Sequence, residues 1–341
     1  MSILEKCGKY IRTAAALAAI GAASAVGAAD ITGAGATFPY PVYSKWAEAY
    51  KKATGTGMNY QSIGSGGGIK QIIAKTVDFG ASDAPMSGSD LEKNGLTQFP
   101  MVMGGVVPVV NIQGVKPGQM RLTGAVIADI YLGKIRSWDD KRIQADNKDI
   151  KLPKLPIAPV YRADGSGTTY VFTTYLRTVS YNFLKEVGNG TSVKWKTGNG
   201  AKGNDGVTAV VKQVKGAIGY VESTYASQNH LIVAQLQSAN GHWVVANNDS
   251  FIAAAKNADW KSAPNFAVDL LNQPGDHSWP IVSTTFILIP TNPVDANKTK
   301  LIANWLGWSF ANGGAMATAL DYVPLPASVQ EQVMAGIKKI H

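Results

Sequence analysis

Three short stretches rich in glycine, serine and threonine each join a run of β-forming residues to a run with helical periodicity. They are residues 33–39 (GAGATFP), 64–68 (GSGGG) and 162–168 (RADGSGT). A strand that turns directly into a helix is the repeating unit of α/β architecture, so the expected fold class is α/β. The first N–H groups of a helix lack internal partners and carry the positive end of its dipole. Glycines and small hydroxyl residues there let a tetrahedral oxyanion come close to the backbone. One such turn is common. Three in one chain, one of them opening on an arginine, point to a site that grips a small anion without reacting with it.

The flanking sequence is consistent with this. Pro39 and Pro41 suit the first turn of a helix, and Val42, Tyr43, Trp46 and Tyr50 follow at helical spacing until residues 54–57 (TGTG) stop them. Residues 58–63 read as a strand before the Ser65 turn, and 77–83 as a second buried strand ending in polar residues. In the middle, 157–161 feed the Arg162 turn, Asp205 is placed to cap a helix through Val207, Val210, Val211 and Val214, and 216–222, 231–236 and 243–246 read as strands. The β-rich runs 104–112 and 281–289 are expected to carry the chain to a second lobe and back. A length of 341 residues suits two lobes, expected at 29–110 plus 281–341 and at 111–280.

The first 28 residues are expected to lie outside the fold. Lys6, Lys9 and Arg12 precede an alanine-rich apolar run over 13–25 and then small residues, the pattern of a cleavable export signal. Its removal takes three positive charges and Glu5, so the formal net charge falls from +9 to +7. The single cysteine, Cys7, precedes the apolar run and cannot be a lipid acceptor placed just after it. The mature chain then holds no thiol, no disulfide and no thiolate metal site. Lysines and arginines are scattered without a basic run, so the positive charge reads as a solvated surface, and no nucleic-acid partner is expected.

The motif inventory argues against catalysis. His230, His242, His277 and His341 have no metal-ligand spacing. No nucleophile elbow surrounds Ser65, Ser82 or Ser166, and there is no Walker A loop. Residues 198–203 (GNGAKG) match the dinucleotide fingerprint, but the preceding 193–196 make a poor strand and the next helix is expected only near Asp205, so an ordinary loop is expected. No metal or cofactor is expected.

The anion reading rests on side chains with separable roles. Arg162 offers a planar fork for two ligand oxygens, and the neighbouring Asp164 could either aim it or simply form a surface ion pair with it. The hydroxyls of Thr37, Ser65, Ser166 and Thr168, with backbone N–H groups of Phe38, Gly167 and Thr168, are candidate donors; each hydroxyl could equally be a helix cap. Asp83 either caps a helix after Pro85 or accepts a proton carried by the ligand. In the second case the site admits phosphate, which keeps a proton near neutral pH, and rejects sulfate, which has none.

Residues 32–43 (TGAGATFPYPVY), 64–71 (GSGGGIKQ), 77–85 (VDFGASDAP) and 162–168 (RADGSGT) resemble the periplasmic phosphate-binding proteins of high-affinity phosphate ABC transporters. Residues 202–206 (KGNDG), 216–222 (GAIGYVE) and 279–289 (WPIVSTTFILI) extend the resemblance along the mature chain. It implies a two-lobed, type II-like periplasmic-binding-protein fold that closes on one phosphate ion in the interlobe cleft. It further implies a monomer that delivers phosphate to an inner-membrane permease with its ATPase. Thr37, Phe38, Ser65, Asp83, Arg162, Ser166, Gly167 and Thr168 would then touch phosphate, with Asp164 orienting Arg162. Gly66 stands where the family often has a serine, and Tyr161 where a second basic residue can occur. A phosphatase using the same cleft, or a receptor for another oxyanion, are the competing functions.

Overall fold

A computed structural model describes residues 30–340 apart from Asn257 and Lys261. The expected leader with Cys7, and His341, fall outside the described residues. Thirteen strands occur among the described residues: β1 (Ile31–Gly35), β2 (Met58–Ser62), β3 (Phe79–Ser82), β4 (Leu96–Val110), β5 (Arg121–Leu122), β6 (Ala158–Arg162), β7 (Asn199–Ala201), β8 (Ala217–Glu222), β9 (Ile232–Val233), β10 (Gln235–Gln237), β11 (Trp243–Val244), β12 (Val282–Pro290) and β13 (Val323–Pro324). Ten form one sheet, in the order β2-β1-β3-β12-β4-β8-β6-β7, with β13 and β9 also pairing with β4; β11-β10-β5 form a small second sheet.

The large sheet has two parallel wings joined by antiparallel strands. On one side β1 pairs in parallel with β2 and β3, and on the other β6 pairs in parallel with β7 and β8. Between them lie the long strands β4 and β12. Residues 96–105 of β4 pair with β12, whereas 106–110 pair with β8, so one strand serves both wings and changes partner between Gly105 and Val106. These strands are buried on both faces and read as nearly unbroken apolar runs, as parallel and central strands do.

Helices cover the wings. Tyr40–Thr54 lays Val42, Tyr43, Trp46 and Tyr50 on the first, where Tyr43 meets Trp305 edge-on at 5.4 Å and Trp305 stacks on Phe79. Across the second wing, Phe172 of the helix Gly167–Val179 stacks on Tyr220 at 4.1 Å. Gly33 is needed because a Cβ there would penetrate the Phe79 ring.

Several sequence boundaries move. The strand expected at 104–112 begins at Leu96 and ends at Val110, and 231–236 is split between β9 and β10. The helix expected to be capped by Asp205 starts two residues earlier, at Gly203. The loop expected over 198–203 contains β7, a short edge strand held to β6. The glycines of the first turn belong to β1, and the following helix starts only at Tyr40, so Thr37 and Phe38 sit on a connector.

Candidate anion site

Six parallel or wing strands end toward one place, the carboxyl edge where open α/β sheets bind ligands. Thr37 and Phe38 follow β1, Ser65 follows β2, Asp83 follows β3, Arg162 ends β6, Gly203 and Asn204 follow β7, and Glu222 ends β8. Four helices follow these strand ends directly: Ser65–Ile73, Gly167–Val179 with Ser166 as its cap, Gly203–Gln213 and Ser223–Gln228.

Hydrogen bonds between the wings tie these residues together. Gly66 N–H donates to the Gly165 carbonyl at 2.9 Å, and Gly167 N–H donates to Ser65 Oγ at 3.0 Å. Asn204 donates through its N–H (3.2 Å) and its amide (2.7 Å) to Thr37 Oγ1, and the same amide reaches Thr168 Oγ1 at 3.5 Å. A Cβ on Gly167 would lie 2.6 Å from both Asp83 Oδ2 and Ser65 Oγ, so these groups pack closely together where the wings meet. A Cβ on Gly66 would lie 3.2 Å from Gly165 Cα, a tight approach that a shift of a few tenths of an ångström would relieve.

The four hydroxyls are held as acceptors. Thr37 accepts from Asn204, Ser65 from Gly167 and Asp83 N–H, Ser166 from Thr169 N–H, and Thr168 weakly from Arg162 Nη1 at 3.4 Å. Among the described residues no acceptor takes their four hydroxyl hydrogens, which are left as donors. The cap alternative is therefore true of Ser166, and capping leaves its O–H free. Phe38 N–H also has no acceptor among the described residues. Its peptide is aimed by Tyr225, whose hydroxyl donates to the Thr37 carbonyl at 2.6 Å; in a trans peptide the N–H points opposite to that carbonyl.

Arg162 and Asp164 form a two-bond pair, Nε to Oδ1 at 2.8 Å and Nη2 to Oδ2 at 2.5 Å. Arg162 is buried, so this is not the surface ion pair of the alternative reading. Its Nε edge is spent on Asp164, and its end keeps N–H groups for a ligand. Burial raises the Asp164 carboxyl, but the Arg162 hydrogen bonds and charge and the Gly203 N–H outweigh it, and it titrates below the usual range. Tyr220 fixes the backbone from behind, accepting from Arg162 N–H at 3.2 Å and sharing a 2.7 Å contact with Thr169 Oγ1.

Asp83 does not cap a helix; Ser87 caps Gly88–Lys93. It is 1% exposed, accepts from Thr285 Oγ1 at 2.9 Å through Oδ1, and its Oδ2 is buried without a partner. Burial pushes its carboxyl up to about 7, opposed by the Thr285 hydrogen bond and the charge of Arg162. An orphaned buried carboxylate oxygen costs roughly 1–3 kcal/mol or more, so it is a feature to be explained by function.

All nine expected residues lie on the turns that meet at this edge of the sheet. Asn204, Thr285, Tyr220 and Tyr225 were not anticipated from sequence. Asn204 and Thr285 lie inside the stretches KGNDG and WPIVSTTFILI, but their roles come from contacts 167 and 202 residues away along the chain. No group of three or more metal-ligating side chains occurs among the described residues, and no described helix is long and apolar enough to cross a membrane.

A model of the PBP superfamily domain matches residues 21–312, and with the two-winged sheet it defines the class: a two-lobed solute-binding protein. The phosphate-binding protein PstS of Pasteurella multocida is 51% identical over 308 residues, covering 90% of each chain. That of Haemophilus influenzae is 50% identical, covering 90% of this chain and 92% of its own. The subatomic-resolution structure of a high-affinity periplasmic phosphate-binding protein, PfluDING, bound with phosphate, superposes with a TM-score of 0.73 at 22% identity, covering 90% and 93% of the two chains; it supports the fold alone. The chain belongs to the Pst-type phosphate-binding proteins.

Proposed function

We propose that this protein captures inorganic phosphate outside the inner membrane and hands it to an ABC importer. The observation that carries the reading is Asp83: a buried acceptor with one unpartnered oxygen, at the same meeting of the wings as a guanidinium and a set of free hydroxyl donors. An anion that keeps a proton satisfies both halves of that site. The ligand contacts are assigned to Thr37, Phe38, Ser65, Asp83, Arg162, Ser166 and Thr168, with Asp164 aiming Arg162. Gly167 stands apart from the sequence expectation: its N–H donates to Ser65 Oγ, so its role is the close approach of the wings.

Lobes at 29–110 plus 281–341 and at 111–280 are proposed with one shift: Val106 N–H donating to the Ile281 carbonyl supports the crossing near 281, whereas β4 changes partner between Gly105 and Val106, so residues 106–110 go with the second wing. The hinge would lie there. Export by a cleavable leader, a periplasmic location, a monomeric state and docking to a permease with its ATPase complete the proposal, supported by the relatives' family. A receptor rather than a catalyst is favoured because the site residues form no nucleophile–base pair.

Isothermal titration tests the reading. One phosphate per chain is expected, with sulfate weaker by ~10⁴-fold or more, because a site built around a required hydrogen bond rejects a ligand lacking it. In Asp83→Asn that ratio collapses. Equal affinity of the unaltered protein for both anions would overturn the role of Asp83.

A further inference from the structure

Glu222 ends β8 opposite Val106, at the residue where β4 changes partner. It is fully buried, yet it is remote from the expected ligand contacts in sequence and carries no role in the reading above. Its surroundings join the two wings. Tyr322 Oη lies 2.9 Å from Glu222 Oε2 and 2.6 Å from the Phe38 carbonyl oxygen. Thr224 Oγ1 lies 3.2 Å from Glu222 Oε1 and 2.5 Å from the Leu320 carbonyl oxygen, and Thr224 N–H donates to Oε1 at 3.1 Å. Glu222 N–H donates to Asn204 Oδ1, whose amide holds Thr37.

Hydrogens can be counted across these contacts. Tyr322 has one hydroxyl hydrogen, but two oxygens that need it, the Phe38 carbonyl and Glu222 Oε2. Were Glu222 ionised, one of those two short contacts would set lone pair against lone pair. A proton on Oε2 removes the conflict: Glu222 donates to Tyr322, and Tyr322 donates to Phe38. Thr224 then serves Oε1 with its N–H and Leu320 with its hydroxyl, and every short contact holds a hydrogen. We infer that Glu222 is a neutral carboxylic acid in this arrangement of the wings and acts, through Tyr322 and Asn204, as the positioning residue that locks the Thr37–Phe38 connector of one wing to the other. This deepens the phosphate reading and rests on it, since Thr37 and Phe38 are ligand contacts there.

Burial raises the Glu222 carboxyl well above its ordinary range, against lowering contributions from Thr224 and Tyr322. The titratable groups acting on it are Tyr322, Asp321 and Tyr225, none of them cationic. Among the described residues, Thr224 and Tyr322 are left as the only groups that favour the charged form, and burial outweighs them.

The test pairs infrared spectroscopy with titration of Glu222→Gln, whose amide reproduces the neutral acid's donor and acceptor. The spectrum of the unaltered protein at pH 8, minus that of Glu222→Gln, should contain a protonated carboxylic-acid band, and phosphate affinity should differ by no more than about threefold, less than one net hydrogen bond is worth. A carboxylate band in its place, or an affinity loss of about tenfold or more on this neutral substitution, overturns the inference. Should Glu222→Gln not accumulate, Tyr322→Phe reads the same contact: the acid band must shift and phosphate binding weaken, and an unchanged band overturns the inference. Failure of the unaltered protein to bind phosphate sinks the ligand reading, whereas the infrared band still decides the proton.

Discussion

Arg162 shows how one side chain is made both safe to bury and available. Its charge is taken out of water, which costs several kcal/mol unless it is paired, and Asp164 supplies the pair through two bonds. Lysine could keep the charge but not the fork, so Arg162→Lys is expected to weaken phosphate binding ~10²-fold, about 2–5 kcal/mol being typical for a disrupted buried charge pair. Titration calorimetry reads the loss, and circular dichroism checks that the fold persists. Asp83 leads to a pH prediction in the ligand-free protein. Its carboxyl titrates near 3.8 in an unfolded chain and at about 7 when folded, so between these values the native state holds more protons than the unfolded one. Its contribution to stability therefore falls as pH rises from about 4 to about 7 and is level above that. Denaturant unfolding of Asp83→Asn against the unaltered protein should show the variant's relative stability rising across that window; a flat difference would show that Asp83 is not titrating there.

At the scale of elements, the glycines act as spacers between wings. Gly167 is the first residue of its helix, where alanine would ordinarily strengthen the helix, yet its Cβ would overlap Asp83 Oδ2 and Ser65 Oγ at 2.6 Å. Gly167→Ala should keep or raise helix content while binding phosphate at least ~10-fold more weakly, a dissociation that circular dichroism and titration together reveal. The same elements show what could be read from the chain beforehand. Strand-to-helix turns are local: glycine, a hydroxyl and the change of hydrophobic period lie within a few residues, so the Ser65 and Arg162 turns and the residues on them were legible. Contacts that depend on register or on the other wing were not. Asn204 sits just past the expected loop 198–203, beside a three-residue edge strand that gave no signal, and Thr285 looked like one more β-former in a buried run. Glu222 ended an apolar strand, with no local sign that Tyr322, a hundred residues away, would share a proton with it.

For the whole molecule, ligand bridging should favour the form in which the wings touch. Phosphate is expected to reduce the radius of gyration measured by small-angle X-ray scattering, and sulfate to leave it unchanged; Gly167→Ala should show no compaction with either. Phosphate at 100 times its dissociation constant should also stabilise the fold by about 2.7 kcal/mol, visible as a higher melting temperature. The opposite result, compaction with sulfate, would mean that closure does not depend on the hydrogen Asp83 is proposed to demand.

Ser65, Asp83, Ser166 and Thr168 are all but sealed from solvent in this arrangement, and Arg162 nearly so. An ion that bridges the two halves there is expected to leave as they part. Its dwell time then carries the contacts that opening must break, and a transporter that pries the halves apart would empty a tight receptor by undoing one wing's contacts before the other's.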